Sequence, residues 1–377
     1  MKKSMYIPFV AVAVMATAAM FQGAKASSNN PEMESPDAIT SATVKENAAP
    51  GYKVYGIELY NLENLFDTIN SNGTYDLEFS PKGNRNWNTE KYRAKLHNMA
   101  YTISQMVTDE TPDGPAIIGI SEVENERVVK DLVNTEPLKS RNLKYVHHDS
   151  PDNRGIDVAM LYDPTMFEVL SVTNTPLKEV NFATRDQMAV TGILGGLDTL
   201  TVIVNHWPSR LGGQDKSEPS RIAAGKLSRH LADSLWKVNP NQHIIVMGDL
   251  NDDPNNRSVS MTPGLGAGQK AKNTANHGFF NPWWDIWEPE YRGTLSYKGE
   301  WNLFDQIIVS GTLLDNKKGA ATGKLLYKGA QINDFDFLKN PPDSPYAGTP
   351  HRTYASGKWL NGYSDHFPTE IFLMVKE

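Results

Sequence analysis

The sequence predicts an α/β domain in which strands dominate and helices cover the outside. Three observations predict it. Apolar, strand-like runs recur from Val54 to Met374. One of them, Asp157–Tyr162, is apolar at nearly every position, as in a strand covered on both faces. Helical periodicity falls between the runs. The 377 residues permit one large domain or two small ones, and no internal repeat divides them.

Residues 1–26 read as a cleaved secretory signal. Lys2 and Lys3 form the charged start, Tyr6 to Phe21 the apolar stretch, and Ala24-Lys25-Ala26 a small-x-small cleavage site before Ser27. A membrane anchor is the alternative, but the run is short and rich in alanine. Residues 27–50, rich in Ser, Asn, Pro, Glu and Ala without periodicity, read as a disordered linker. The folded domain then occupies 51–377.

Its first strand is Val54–Tyr60. Thr89 is expected to cap a helix running to about Val107, with Tyr92, Leu96, Met99, Ile103 and Met106 on one face. A strand at Ala116–Ile120 and a helix within 127–138 follow. The strands Asp157–Tyr162 and Leu200–Val204 come next. Pro219 suits the first turn of another helix, with Ile222, Leu227, Leu231 and Leu235 inward. His243–Met247, Phe304–Val309 and Thr369–Met374 complete the strands. The Gly/Asn/Pro-rich stretches 252–282 and 311–360 read as long loops.

Composition narrows the chemistry. The chain has no Cys, which excludes disulfides, thiolate ligands and a thiol nucleophile. Its formal charge is −7, and cleavage after Ala26 removes three lysines and no acid, giving −10. An acidic chain is a poor general binder of polyphosphate, since that affinity comes largely from Lys and Arg. A local basic cleft remains open to it, with Arg154, Arg210 and Arg221 as candidate lining.

Polar residues gather where apolar runs end. A buried carboxylate must be paired, hydrogen-bonded or metal-bound. Asn61 and Glu63 share one side of an extended chain and are oxygen donors suited to Mg²⁺ or Mn²⁺. Glu122 follows Ile117–Ser121, where it reads as a metal ligand or a helix-start carboxylate. Arg154 offers a fork matched to phosphate oxygens. His206 ends a strand beside Asn205, Ser209 and Arg210, all able to hold a phosphate. Asp249 and Asn251 bracket Leu250, which suits a water-orienting base and a phosphate donor. Asp305 could orient an imidazole. In Ser364-Asp365-His366 the Asp would bind metal and the His would contact the reacting phosphate.

These motifs in succession resemble the endonuclease/exonuclease/phosphatase superfamily, the deoxyribonuclease-I-like fold, over residues 52–376. The carriers are Tyr60-Asn61-Leu62-Glu63, Ser121-Glu122-Val123, Arg154-Gly155-Ile156-Asp157-Val158-Ala159, Asn205-His206-Trp207-Pro208-Ser209, Gly248-Asp249-Leu250-Asn251-Asp252, Asp305-Gln306-Ile307 and Ser364-Asp365-His366. The Asn-His-Trp-Pro-Ser-Arg form is similar to a secreted bacterial branch. Two departures stand out: Leu250 replaces the family's usual Phe, and Gln306 its usual Tyr.

The resemblance implies a four-layer α/β/β/α sandwich with the site at one end of two packed sheets. It implies a metal site at Glu122 with Asn61, Glu63 or Asp365. It implies Asp249 as the residue acting on the attacking water, Asn251 and His206 as donors to phosphate oxygens, and His366 supported by Asp305. The expected activity is a secreted, Mg²⁺- or Mn²⁺-dependent phosphodiesterase, foremost a nuclease with little sequence preference. The mature form is expected to be a monomer without a membrane span. Rival substrates are phospholipid or sphingomyelin, inositol phosphates and nucleotides. The aromatic segment Phe279–Trp287 would face lipid in the first of these, or bury as a ring cluster otherwise. A non-catalytic binding protein on the same fold is the rival from another class.

Overall fold

The structure, a computed structural model, describes residues 51–69, 77–288, 291–315 and 325–376, within the compact unit Glu46–Glu377. The expected signal (1–26) and linker (27–50) lie outside the described residues. The strands are β1 (Tyr52–Leu65), β2 (Ile117–Val123), β3 (Lys144–His147), β4 (Asp157–Tyr162), β5 (Phe167–Thr175), β6 (Gln187–Leu194), β7 (Asp198–His206), β8 (His243–Asp249), β9 (Ala267–Gly268), β10 (Phe279–Phe280), β11 (Leu295–Tyr297), β12 (Glu300–Asn302), β13 (Asp305–Ser310), β14 (Leu325–Ile332), β15 (Tyr354–Ala355), β16 (Lys358–Trp359) and β17 (Thr369–Lys376). The helices are α1 (Thr89–Ser104), α2 (Glu126–Val133), α3 (Gln214–Val238) and the short α4 (Arg257–Ser260).

Two large mixed sheets carry the fold. The first runs β14-β17-β1-β2-β4-β3, the second β5-β6-β7-β8-β13-β10-β9. Side-chain alternation on β1 shows the layering. Tyr55, Ile57 and Leu59 join the core between the sheets, with Val202, Val204, Met247 and Ile307 opposite. Tyr60 and Leu62 face the other way, against Leu96, Met99 and Ile103 of α1. Ala224, Ala232 and Trp236 of α3 cover Ile203, Ile244 and Val246 on the outer face of the second sheet. The result is the four-layer α/β/β/α sandwich. Each buried large apolar side chain contributes about 1.5–3 kcal/mol before entropy is counted. The sheets meet closely at Gly119, where a Cβ would lie 2.5 Å from the Met247 sulfur.

Several elements differ from expectation. The cap of α1 is Asn88, whose side chain accepts from Lys91 N at 3.0 Å, so Thr89 is the first helical residue. The helix α3 begins at Gln214, five residues before Pro219, which therefore sits inside it. Arg221 holds that early turn together. It donates to Ser217 Oγ at 2.8 Å and Gln214 Oε1 at 2.9 Å, and pairs with Asp252 at 2.8 Å. Its side chain is 0% exposed, so Arg221 cannot line an open basic groove.

The stretches expected to be irregular contain β9, β10 and β14 to β16. Their strands other than β14 are two residues long, too short for a readable period. The aromatic segment turns inward. Phe279 and Trp283 are 1% and 0% exposed, and Trp283 donates to Ile307 O at 3.1 Å. This corrects the lipid-facing alternative. Among the described residues, no helix is long and apolar enough to cross a membrane.

Candidate active site

Strand register brings the polar residues to one end of the sandwich. In the second sheet, His206 lies opposite Asp249 across the parallel pair β7–β8, and Asp249 lies opposite Asp305 across β8–β13. The strand β13 is antiparallel to β8, so its first residue meets the last residue of β8. In the first sheet, Asn61 lies opposite Ser121, one residue before Glu122. Ser364, Asp365 and His366 precede β17, which pairs with β1.

Short side-chain-to-backbone bonds shape each strand end. Asn61 Oδ1 accepts from Glu63 N at 2.9 Å. Asp249 Oδ1 accepts from Asn251 N at 3.0 Å. Ser364 Oγ accepts from His366 N at 3.1 Å and donates to Asn61 O at 2.6 Å. Asx- and Ser-type turns of this kind are encoded locally. Glu63, Asn64, Glu122 and Asn251 adopt positive φ, between 47° and 62°. Such strain gathers at functional sites, where the surrounding structure over-determines it.

The acid–imidazole groups converge. His366 Nδ1 is 2.6 Å from Asp305 Oδ2, and its Nε2 is 3.9 Å from both Asp249 Oδ2 and Asp365 Oδ1. Although burial pushes the His366 imidazole down, Asp305, Asp249 and Asp365 together hold its pKa well above the ordinary value. His206 is the opposite case. Burial first, then the charges of Arg185, Arg154 and His366, hold it neutral. Its Nε2 lies 3.5 Å from Asp249 Oδ2 and 3.9 Å from Glu122 Oε1. Its neighbours lock the backbone: Asn205 accepts from Trp207 Nε1 at 3.1 Å, and Arg185 donates to the carbonyls of His206 and Trp207. The Asp249 carboxyl is pushed up to about 6 by burial, with Asp305 and Glu122 adding to the rise against His366.

Asn61 Nδ2 donates to Asp249 Oδ2 at 3.0 Å, linking the two sheets. Arg154 spans Glu122 Oε1 at 3.2 Å and Asn64 Oδ1 at 2.7 Å. Asn251 Nδ2 donates to the carbonyl of Trp207, the residue after His206, at 3.0 Å.

Some expected residues are placed otherwise. Asn61 and Glu63 do not alternate as on a regular strand, because the pairing shifts between Asn61 and Leu65 and Glu63 has φ 47°. Both Glu63 oxygens are engaged, by Arg352 Nε at 3.2 Å and Thr353 N at 2.6 Å. Glu63 thus stands as a partner for Arg352. Asp365 shares that arginine, at 2.8 Å. Arg210 is also engaged. It donates to Asn251 O, Asp252, Asp253 and Asn256 and lies 4.4 Å over the Phe304 ring. It pins the turn after β8, a positioning place that differs from the expected phosphate contact.

Arg352 and Lys95 carry no signal in the sequence. Arg352 lies in a stretch without period, and Lys95 interrupts the apolar face of α1. Lys95 is 2% exposed and donates to Thr353 Oγ1 at 2.6 Å and Tyr363 O at 2.5 Å. Burial lowers it to about 8, against the pull of Glu63, Asp365 and Glu122.

The donor set fits a divalent cation. Glu122, Asn61, Asp249 and Asp365 offer oxygens, the hard donors that suit such an ion. Asp249, Asp305 and His366 also present ligand-type atoms within 4.8 Å of one another.

Comparisons with known proteins identify the family. The chain resembles TDP2 from C. elegans at 13% identity and TM-score 0.49, over 85% of this chain and 75% of that one. It resembles D. rerio TDP2 complexed with single strand DNA product at 13% and 0.49, over 85% and 98%. It resembles a mannosyl-6-phosphatase from Bacteroides thetaiotaomicron at 14% and 0.49, over 85% and 99%. No curated protein sequence matches. The model of the Endonuclease/Exonuclease/phosphatase family matches residues 56–375, which is most of the chain. The chain therefore belongs to that family, whose members are divalent-metal-dependent phosphoester hydrolases.

Proposed function

We propose that the protein is an exported phosphodiesterase using Mg²⁺ or Mn²⁺, and that its substrate is nucleic acid, cleaved with little sequence preference. Export rests on the signal-like residues 1–26, followed by the tether 27–50 and a single hydrolase domain over 51–377. The observation that carries the chemistry is the level line of His206, Asp249 and Asp305 across three adjacent strands, with His366 bonded to Asp305 at 2.6 Å.

Asp249 orients and deprotonates the attacking water. Its raised pKa suits a base that must also release the proton. His366 is a charged donor whose Nε2–H faces the phosphate oxygens, held by Asp305 on the other nitrogen. Neutral His206, Asn251 and Arg154 donate to the same oxygens. Glu122, Asn61 and Asp365 would hold the cation, which supplies charge neutralisation at the leaving oxygen. No residue here reads a base edge, so contacts to phosphate give affinity without sequence.

A phosphomonoester is the second reading, on one observation. Arg154 and Arg352 bring two guanidiniums to the site, 30% and 46% exposed, which suits a dianionic terminal phosphate. The deciding measurement is turnover on plasmid DNA, RNA, sphingomyelin vesicles, inositol phosphates, nucleotides and sugar phosphates with Mg²⁺ present. Fast nucleic-acid cleavage is the expected result. Monoester hydrolysis with intact plasmid would overturn the nuclease assignment.

A further inference from the structure

A second cluster of ligand-type side chains lies outside the site described above, where β3 ends and β4 begins. His147 Nε2 is 3.2 Å from Asp157 Oδ2 and 4.0 Å from Asp149 Oδ1. One ligand atom from each residue lies within 4.8 Å of the others. The side chains of His147 and Asp157 are 4% and 5% exposed, while that of Asp149 is 82% exposed. Asp157 is pre-oriented. Its Oδ1 accepts from Ser150 N at 2.9 Å and from Ser150 Oγ, so Oδ2 is left facing His147. A bond that fixes the far oxygen of a carboxylate is the usual support for a ligating one.

A second pair of titratable groups lies near Asp157, where the other sheet approaches β4. Asp186, just before β6, is 9% exposed, and its Oδ1 is buried without a hydrogen-bond partner. Its Oδ2 lies 3.6 Å from His148 Nε2. Burial raises its pKa, His148 opposes the rise, and the charge of Asp157 adds to it. A buried carboxylate oxygen with no donor costs free energy that a cation would recover. Neither the catalytic residues nor the core packing uses this group.

We propose that His147, Asp149 and Asp157 bind a divalent cation of their own, whose charge also offsets that of the nearby Asp186. Imidazole nitrogen mixed with carboxylate oxygen favours a borderline transition ion such as Zn²⁺ or Co²⁺ over Mg²⁺ or Ca²⁺. The exposed Asp149 gives the ion an entry side. The cation ties the end of β3 to the start of β4. It also closes the loop 148–156. That loop carries Asp152, which accepts from Arg154 N at 2.8 Å and pairs with Arg185 at 2.9 Å. A filled site therefore steadies Arg154, the guanidinium beside Glu122.

The test uses the full chain stripped of metal, in a Glu122→Gln background that weakens the catalytic centre. Cobalt(II) is titrated in, with binding followed by calorimetry and visible absorption. The expected result is one bound equivalent whose affinity falls about tenfold or more when Asp149→Asn is added. Melting temperature should rise with cobalt(II) in the parent and not in the double variant. Because Asp149 is exposed, its replacement leaves packing intact; His147→Gln is a second variant reading the buried side. Unchanged affinity and spectrum in both double variants would overturn the proposal, as would no cobalt(II) binding by Glu122→Gln.

Discussion

Two imidazoles a few ångströms from one aspartate are held in opposite charge states by their neighbours. His366 has Asp305 at 2.6 Å and stays protonated; His206 faces Arg185 and Arg154 and stays neutral. The difference follows from the sign of the surrounding charge, since both are buried. Removing the His366 cation should cost transition-state stabilisation without unfolding the strand ends, which Ser364 and Asn61 fix independently. His366→Ala and Asp249→Asn are each expected to lower turnover by about 10²-fold or more. Asp305→Asn should lower it less, and should shift the upper limb of the pH profile to lower pH as His366 loses its counter-charge. Steady-state kinetics on circular-dichroism-verified variants checks this. Near-normal turnover in either of the first two variants would refute their roles.

Paired strands carry a second charge problem far from the site. Glu58 on β1 lies opposite Glu370 on β17, and both are 0% exposed. Asn333 Nδ2 bridges them, at 2.8 Å to Glu58 and 3.3 Å to Glu370. Two buried carboxylates sharing one donor cannot both ionise cheaply. Burial raises Glu370 to about 7 and, with the charge of Glu370, raises Glu58 well above its ordinary value. A carboxyl raised on folding stabilises the protein fully below its unfolded value of 4.5, and that stability is lost as pH rises through about 7. The loss for Glu370 is on the order of 3 kcal/mol. Melting temperature should therefore fall between about pH 5 and 8 in the parent, and fall less in Glu370→Gln, which is neutral throughout. Equal slopes would show that the pair does not govern the dependence. The pair Arg221–Asp252 differs, because its charges are opposite and 0% exposed. Arg221→Met removes the fully buried partner of Asp252 and leaves the partly exposed Arg210 at 3.2 Å as its remaining cation, which should cost up to roughly 3–5 kcal/mol in denaturant unfolding.

The sandwich as a whole brings Glu122, Asp249, Asp305 and Asp365 to one end, and its activity should depend on a cation there. Chelation with EDTA is expected to abolish hydrolysis, and Mg²⁺ or Mn²⁺ to restore it, since the donors are oxygens and imidazoles without thiolate. Full activity after metal stripping would sink that mechanism. Export is tested separately. N-terminal sequencing of protein from its host should find a start near Ser27, and an intact Met1 on a cytosolic product would show otherwise.

Strand-end motifs such as Gly248-Asp249-Leu250-Asn251 and Ser364-Asp365-His366 were legible because Asx- and Ser-type turns are local: the side chain bonds a backbone two residues on. The buried strands β4, β7 and β8 were legible because burial on both faces leaves a continuous apolar run. The edge strand β5 was not, since its half-exposed Phe167–Thr175 mixes Glu, Ser, Asn and Thr with the apolar residues. The fates of the cations were also hidden. Arg210, Arg221 and Arg352 look alike in the chain, yet one pins a turn, one is sealed with Asp252 and one bridges Glu63 and Asp365. Partners 13 to 289 residues away decide such roles. Local sequence can fix a turn or a strand; which charges meet depends on register and sheet packing, and these exist only once the chain has folded.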